Sequence, residues 1–398
     1  MREDWEFKKL GQVCKTSSGG TPLKSKKEFY ENGNIPWIRS GEVNNRNILN
    51  SEIKISQIGL DNSSAKLFPE RTVVIAMYGA TAGQVGILNF EAATNQAVCG
   101  IYPNNKFVPE FLYYFFLNFK QELIAQAVGN AQPNISQTKI KDTLIPVISI
   151  KLQKQIVEIL DQAFEAIDKA KANIEKNIVN ANELFQSKLN EIFSQKGDGW
   201  VNKELSQIGE VQTGNTPPTK DKSNFGDYIP FAKPPHFKPD GSIVTGDSML
   251  SKFGLERSRL FKKNSILMVC IGATIGKTGF SEQPISSNQQ INALTPNENY
   301  APKLLYYALI SPFVQKQVLN EGTRAQATLP IINKSKWMKL KVNLPIDKEE
   351  QIKIVKRLDE LKRYSIKAEN LYTKKLTSLE ELKKSILQKA FSGELTAL

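Results

Sequence analysis

The residues of this chain with chemistry to offer are hydrogen-bonding amides and fixed cations. Arg39 stands in IPWIRSG (35–41), Tyr78 opens onto GATAG (79–83), and Gln96 lies in TNQAV (94–98). Gln132 and Asn134 belong to GNAQPNIS (129–136). Further on, Lys233 follows IPFA, Lys277 follows GATIG, Gln289 and Gln290 lie in SNQQI (287–291), and Arg324 lies in EGTRAQATLP (321–330). An amide presents a donor and an acceptor side by side, and Arg or Lys a positive charge. That mixture suits the edges of bases and the oxygens of phosphates. Each residue alone is equally an ordinary solvated or turn-capping side chain, and Asn95 and Asn288 beside them fit turn caps. As a set they gain weight, because they recur at matching or neighbouring places in two halves of the chain.

Other chemistries have little material. The chain contains one histidine, His236, in the proline-rich stretch AKPPHFKPDG, where it reads as a loop residue or a nucleic-acid contact. Histidine metal clusters and Ser-His or Cys-His pairs are therefore not expected. GATIGKTG (272–279) does not satisfy GxxxxGK[ST], its counterpart GATAGQVG lacks the lysine, and no GxGxxG follows a strand. KPPH (233–236) is not the Asn/Asp-Pro-Pro-aromatic signature of an adenine methyltransferase. Glu52 with Lys54, and Glu381 with Lys383, read as surface charge. No catalytic residue, metal or cofactor is expected. Cys14, Cys99 and Cys270 are widely spaced and odd in number, which suits buried free thiols in a reducing cytoplasm. The formal charge of +13 favours an acidic partner, nucleic acid first. No apolar run is long enough for a membrane span, so no membrane partner is expected.

The elements that position these residues repeat. At an offset of about 195 residues, WEFKKLGQV (5–13) answers WVNKELSQI (200–208), and SGGTP (18–22) answers TGNTP (213–217). VIAMYGATAGQVG (74–86) answers LMVCIGATIGKTG (267–279), and PEFLYYFF (109–116) answers PKLLYYAL (302–309). IVEILD (156–161) answers IVKRLD (354–359), and SKLNEIFS (187–194) answers SILQKAFS (385–392). Residues 73–77 and 266–271 read as short buried strands, and 111–127 and 302–319 as amphipathic helices. Trp5 and Trp200 open the two halves as packing anchors.

Each half ends in a long helical pattern. In 151–195 the apolar stripe is Ile156, Leu160, Phe164, Ile167, Ile174, Ile178, Phe185, Leu189 and Ile192. In 349–391 it is Val355, Leu358, Leu361, Ala368, Leu371, Leu379, Leu382, Ile386 and Ala390. Pro146 and Gly197 bracket the first, Pro345 and Gly393 the second. The first helix would extend about 65 Å. The second domain leaves the end of the first helix and delivers the start of the second. A domain whose termini are neighbours then requires the helices to run antiparallel. The expected fold is α+β, two pseudo-symmetric globular DNA-recognition domains joined by a long antiparallel two-helix coiled coil. The expected boundaries are 1–148, 149–196, 197–346 and 347–398. Leu184, Ile192, Leu376 and Leu387 lie beside the stripes and either widen the pair or face other helices. Lys169, Lys171, Lys176, Lys188, Lys383, Lys384 and Lys389 are either a solvated face or a cover over DNA.

Over essentially its full length the chain resembles the specificity subunit of type I restriction-modification systems. The resemblance rests on W-x-x-K-x-L at 5–10 and 200–205, SGGTP and TGNTP, IPWIRSG, and GATAG and GATIG followed by NQA and NQQ. GNAQPNIS, LQKQIVEILD and the closing KKSILQKAFSGEL (383–395) add to it, while ATLPIIN (327–333) departs from the first half's QPNIS. The resemblance implies a non-catalytic cytoplasmic subunit that reads a bipartite, asymmetric site in double-stranded DNA. It also implies two methyltransferase (modification) subunits, which bind S-adenosylmethionine and methylate adenine N6, and restriction subunits that supply ATP-driven translocation and cleavage. Two other readings differ in kind: a self-sufficient DNA methyltransferase or nuclease, and a coiled-coil scaffold without sequence-specific reading.

Overall fold

In a computed structural model the described residues are 5–126, 134–323 and 330–396. The chain divides into two compact units, Met1–Asn173 with Lys375–Leu398, and Ile174–Lys374.

The first unit begins and ends its globular part in one place. Strand Glu6–Lys9 pairs antiparallel with Leu144–Val147, Glu6 opposite Val147. Trp5 is buried in the first unit's core, as a packing anchor should be. Among the described residues, a five-stranded sheet orders Thr16–Ser18, Val98–Ile101, Val73–Ala76, Val85–Leu88 and Asn47–Ile48. Its middle strands are buried on both faces, which explains their continuous Val, Ile and Ala runs. A four-stranded sheet orders Lys54–Ile55, Ile35–Ile38, Ala92–Thr94 and Leu67–Phe68. Helix α1, Pro109–Asn118, starts with proline at its first position, where no amide donor is needed, and buries Phe111, Leu112, Tyr114, Phe115 and Phe116. The helical stretch expected over 111–127 is divided, with a second segment at Lys120–Ala125.

Helix α2, Ile150–Phe193, follows directly from the closing strand. Its first turns bury Ile156, Leu160 and Phe164 in the first unit's core, and Ile167 is buried one turn further on.

The second unit repeats this order of elements. Trp200–Glu204 pairs with Lys341–Pro345, Trp200 opposite Pro345. Gly209–Thr213, Ile291–Pro296, Ile266–Val269 and Thr278–Phe280 form the main sheet, and Phe225–Ala232 runs parallel to Ser286–Ser287. Helix α3, Pro302–Ile310, again starts on proline. It ends at Ser311, whose extended backbone precedes Pro312, as the residue before a proline prefers. Helix α4, Lys348–Ser392, ends on Gly393 at φ +86°, a left-handed cap that glycine adopts without a Cβ clash.

The closing strand pair puts the end of α2 beside the strand that feeds α4. Asn343 Nδ2 donates to the carbonyl of Phe193 at 2.9 Å. Within the second unit Ser365 Oγ reaches the carbonyl of Ala181 at 3.5 Å. Within the first, Lys383 pairs with Asp168 at 3.1 Å and Lys171 with Glu380. In these two ion pairs one residue number rises as the other falls, so these segments of α2 and α4 run antiparallel.

Two stripe assignments need correction. Leu371 is 52% and Leu382 46% exposed. The inward line in the second unit runs Leu361, Ser365, Ala368, Tyr372, and in the first Leu376, Leu379, Lys383, Ile386, Ala390. Those steps alternate between three and four and average near 3.6, whereas Leu371 stands one 100° step off the line beside Tyr372. Of the residues set beside the stripes, Ile192 and Leu387 are core, Leu376 is half-buried and Leu184 is 57% exposed. Several of the helix lysines are held by carboxylates: Lys169 by Glu165, Lys171 by Glu380, Lys188 by Glu191 and Lys383 by Asp168. Lys383 also lies 4.4 Å over the Phe164 ring. Among the described residues no helix is long and apolar enough to cross a membrane.

Candidate nucleic-acid interface

The singled-out residues gather at one end of the sheets in each unit, and strand register explains why. In the first unit Val98 opposes Ala76 and Ile38 lies beside Thr94. The ends of Ile35–Ile38 and Ala92–Thr94 in the four-stranded sheet thus meet the end of Val73–Ala76 and the start of Val98–Ile101 in the five-stranded sheet. The 95–97 turn joins them, its Asn95 amide donating to the Ile38 carbonyl and its Ala97 carbonyl accepting from the Met77 amide. Arg39, Tyr78 and Gln96 follow from those ends. Asn134 joins them through a bridge to Tyr78, extended by the Ile135 amide donating to the Met77 carbonyl at 2.8 Å. Gln132 lies outside the described residues.

Local chemistry holds these groups in place. Asn95 Oδ1 accepts from the Ala97 amide at 3.2 Å, so Asn95 caps the turn that presents Gln96. Gln96 is exposed, and its carbonyl accepts from the Thr21 hydroxyl of SGGTP. Arg39 is paired with Glu42 at 3.3 Å and with Glu52. Glu52 is the surface charge the sequence suggested, and it pairs there with Arg39. Tyr78 is 38% exposed and precedes Gly79, which needs its positive φ of +70° to turn the chain.

The second unit builds the same edge with other side chains. Ala232 lies beside Ser287 and Val269 opposes Ile291. Lys233, Lys277, Gln289 and Gln290 follow from or return to those positions. Asn288 Oδ1 accepts from the Gln290 amide at 3.2 Å, repeating the Asn95 turn. Thr216 of TGNTP donates to Gln289 Oε1 at 2.6 Å, repeating the Thr21–Gln96 contact. Gln290 Oε1 accepts from Asn288 Nδ2 at 2.9 Å, and its carbonyl accepts from the Cys270 amide. Lys277 and Lys233 are exposed, and Lys233 Nζ sits 5.7 Å over the Phe231 ring. Arg324 lies outside the described residues.

His236 reaches back to this edge, its Nδ1 accepting from the Lys233 amide at 3.1 Å. Burial, then the charges of Lys233 and Lys238, hold its imidazole below the ordinary value of 6.5. The ring is therefore a neutral acceptor that shapes the loop.

Sequence reasoning missed Thr21 and Thr216 as the groups that hold the two glutamines. The signal was present, since SGGTP and TGNTP recur with NQA and NQQ. The preceding glycines show why these segments lie so close. A Cβ on Gly19 would meet the Thr94 carbonyl oxygen at 2.2 Å, and one on Gly214 the Asn288 carbonyl oxygen at 2.1 Å. Each edge thus presents exposed amides and cations on a backbone with the same turn and the same Thr–Gln contact. Such an edge can donate to and accept from polar groups, and can balance negative charge.

Comparison with known proteins agrees with this architecture. The family described as "Type I restriction modification DNA specificity domain" matches residues 2–178 and 197–378. The Escherichia coli EcoR124I/EcoR124II specificity subunit is 31% identical over 39% of this chain, an alignment that spans 40% of that relative's own length. The Salmonella potsdam StySPI specificity subunit is 25% identical over all of this chain and 90% of its own. A solved chain from work on complex assembly and conformational transition of the type I R-M system superposes with a TM-score of 0.79, covering 99% of both chains at 19% identity. That last likeness speaks for the fold. Two matches to one family, each covering one of the repeated halves, leave a single assignment: this chain belongs to the type I restriction-modification DNA specificity family.

Proposed function

We propose that this chain is the DNA-reading subunit of a type I restriction-modification complex, recognising a bipartite and asymmetric site and positioning methyltransferase and restriction subunits on it. The observation that carries this reading is the pair of edges. Both keep the Asn-capped turn and the Thr–Gln contact, Thr21 with Gln96 and Thr216 with Gln289. Around that shared frame the first edge carries Arg39, Tyr78 and Asn134, and the second Lys233, Lys277 and Gln290. Equal frames with unequal reading groups suit two unlike half-sites, because base edges differ in their donor and acceptor patterns.

In this reading residues 1–148 and 197–346 are pseudo-symmetric target recognition domains, and 149–196 and 347–398 form an antiparallel coiled coil that spaces them. Two methyltransferase subunits and the restriction subunits supply the bond-making and bond-breaking steps, and the complex works in the cytoplasm. Gln132 and Arg324 complete the proposed contacts.

The test is a map of methylated adenines in DNA exposed to the chain together with a type I methyltransferase subunit that it binds. Two short unlike half-sites separated by an unread spacer are expected. A continuous short site, or methylation by the chain alone with S-adenosylmethionine, overturns the proposal.

A further inference from the structure

Each unit contains a tyrosine that joins its globular part to a long helix through a carboxylate. Tyr114 on α1 is 2% exposed, and its hydroxyl donates to Asp161 Oδ1 on α2 at 2.5 Å. Tyr307 on α3 is 2% exposed, and its hydroxyl donates to Asp359 Oδ1 on α4 at 2.6 Å. The two tyrosines occupy the same place in PEFLYYFF and PKLLYYAL, and the two aspartates close IVEILD and IVKRLD. Burial, then the hydrogen bond to the carboxylate, pushes both phenols far above their ordinary range, so each remains a donor.

Each aspartate also takes a cation, and here the units differ. Arg46 grips both oxygens of Asp161, NH1 at 2.5 Å from Oδ1 and NH2 at 3.2 Å from Oδ2, and NH1 is 3.2 Å from the Tyr114 hydroxyl. Arg46 comes from the sheet, where its carbonyl accepts from the Ile87 amide at 2.7 Å. In the second unit Lys303, one turn before Tyr307 on the same helix, reaches the two oxygens of Asp359 at 3.3 and 3.1 Å. The first cluster ties sheet, α1 and α2 together, while the second ties α3 to α4 alone.

Apolar contact between a domain and a helix is non-directional and tolerates sliding and tilting. A charge-assisted hydrogen bond does not, because its strength depends on distance and angle. We infer that Tyr114 with Asp161 and Arg46, and Tyr307 with Asp359 and Lys303, are positioning residues that set the angle at which each recognition domain leaves its long helix, and so the permitted separation of the two half-sites. This inference rests on the proposed DNA-reading function. Removing a hydroxyl keeps the ring in the core and takes away the one directional bond it makes to the helix carboxylate.

The experiment uses the full chain with its methyltransferase partner and a DNA library whose spacer varies one base pair at a time. Wild type, Tyr114→Phe, Tyr307→Phe, the double variant and Arg46→Ala are compared, with thermal unfolding of each. The expected result is unchanged half-sites with the preference for the wild-type spacer over its neighbours reduced roughly tenfold, the weight of one hydrogen bond to a charged group. Phenylalanine variants that keep the wild-type spacer preference while unfolding at lower temperature overturn the inference, since the pairs would then only stabilise. If a phenylalanine variant fails to fold, Asp161→Asn, which keeps an acceptor and loses the charge, carries the same comparison. A wild-type protein that directs methylation to no bipartite site overturns instead the functional reading beneath it.

Discussion

Gln153, in the first turn of α2, accepts a hydrogen bond from the Val108 amide at 2.8 Å, and so holds the N-terminal end of α1 against the long helix. Its Nε2 donates to the carbonyls of Lys106 at 2.8 Å and Ile148 at 2.9 Å. Gln351 repeats the arrangement on α4, accepting from Ala301 and donating to Asn299 and Pro345. Both glutamines are almost fully buried and satisfied entirely by backbone. A buried amide of this kind is a junction between domain and helix, since only a side chain with both donor and acceptor can serve the three groups.

Gln153→Ala leaves one amide and two carbonyls without their partner. The expected loss is about 3 kcal/mol of unfolding free energy, given about 1–3 kcal/mol for each buried group left unsatisfied and some relief from water. Gln351→Ala is expected to behave alike. Urea unfolding of the purified chain checks this; a change below about 0.5 kcal/mol would mean the junction is held by packing alone.

Gln96→Ala is expected to relax the first half-site and leave the second intact, and Gln289→Ala the converse. A lost base contact costs about 1–3 kcal/mol of discrimination at one position. Sequencing of methylated sites reads both halves in one experiment. Loss of both halves from either variant would argue that the glutamines support the fold.

His236 makes stability depend on pH in one direction. Its imidazole titrates below 6.5 when folded because burial and then the neighbouring lysines disfavour the charged form. The unfolded chain therefore takes up that proton first on acidification. The contribution is fully present above pH 6.5 and is lost as pH falls through the folded value. His236→Asn should remove this component, seen as a smaller difference in denaturation midpoint between pH 7 and pH 5.5. As the only histidine in the chain, it also gives one imidazole signal to titrate.

Burial pushes the thiols of Cys99 and Cys270 up to about 12. Cys14 is raised too, mainly by burial. The thiolate is the reactive form, so all three should resist alkylation at pH 8 while the protein is folded. Mass spectrometry after iodoacetamide treatment should show labelling only with denaturant. Rapid labelling of Cys99 in the native protein would contradict its burial.

Much of this molecule was legible in the sequence because its signals are local or periodic. The internal repeat, the two long helices and their punctuation by Gly197 and Gly393 depend on neighbours a few residues apart. The strands at 73–76 and 266–269 were visible as apolar runs bounded by turns. The burial of Trp5 and the cap formed by Asn95 followed from residue type and position. The inward line of α4 was only partly legible, because Leu371 and Tyr372 are both apolar and only the face that meets a neighbour separates them.

Tertiary structure alone decided the long-range pairings. Nothing local joins Thr21 to Gln96, Arg39 to Glu52, or Tyr114 to Asp161, since each contact depends on strand register and on where the domain closes against its helix. The sequence determined that two like halves each carry amides and cations in Gly- and Asn-punctuated turns. Folding decided that these turns come together where the strand ends of two sheets meet in each unit. The physical reason is register: antiparallel and parallel pairing brings to one place the ends of strands that lie tens of residues apart in the chain.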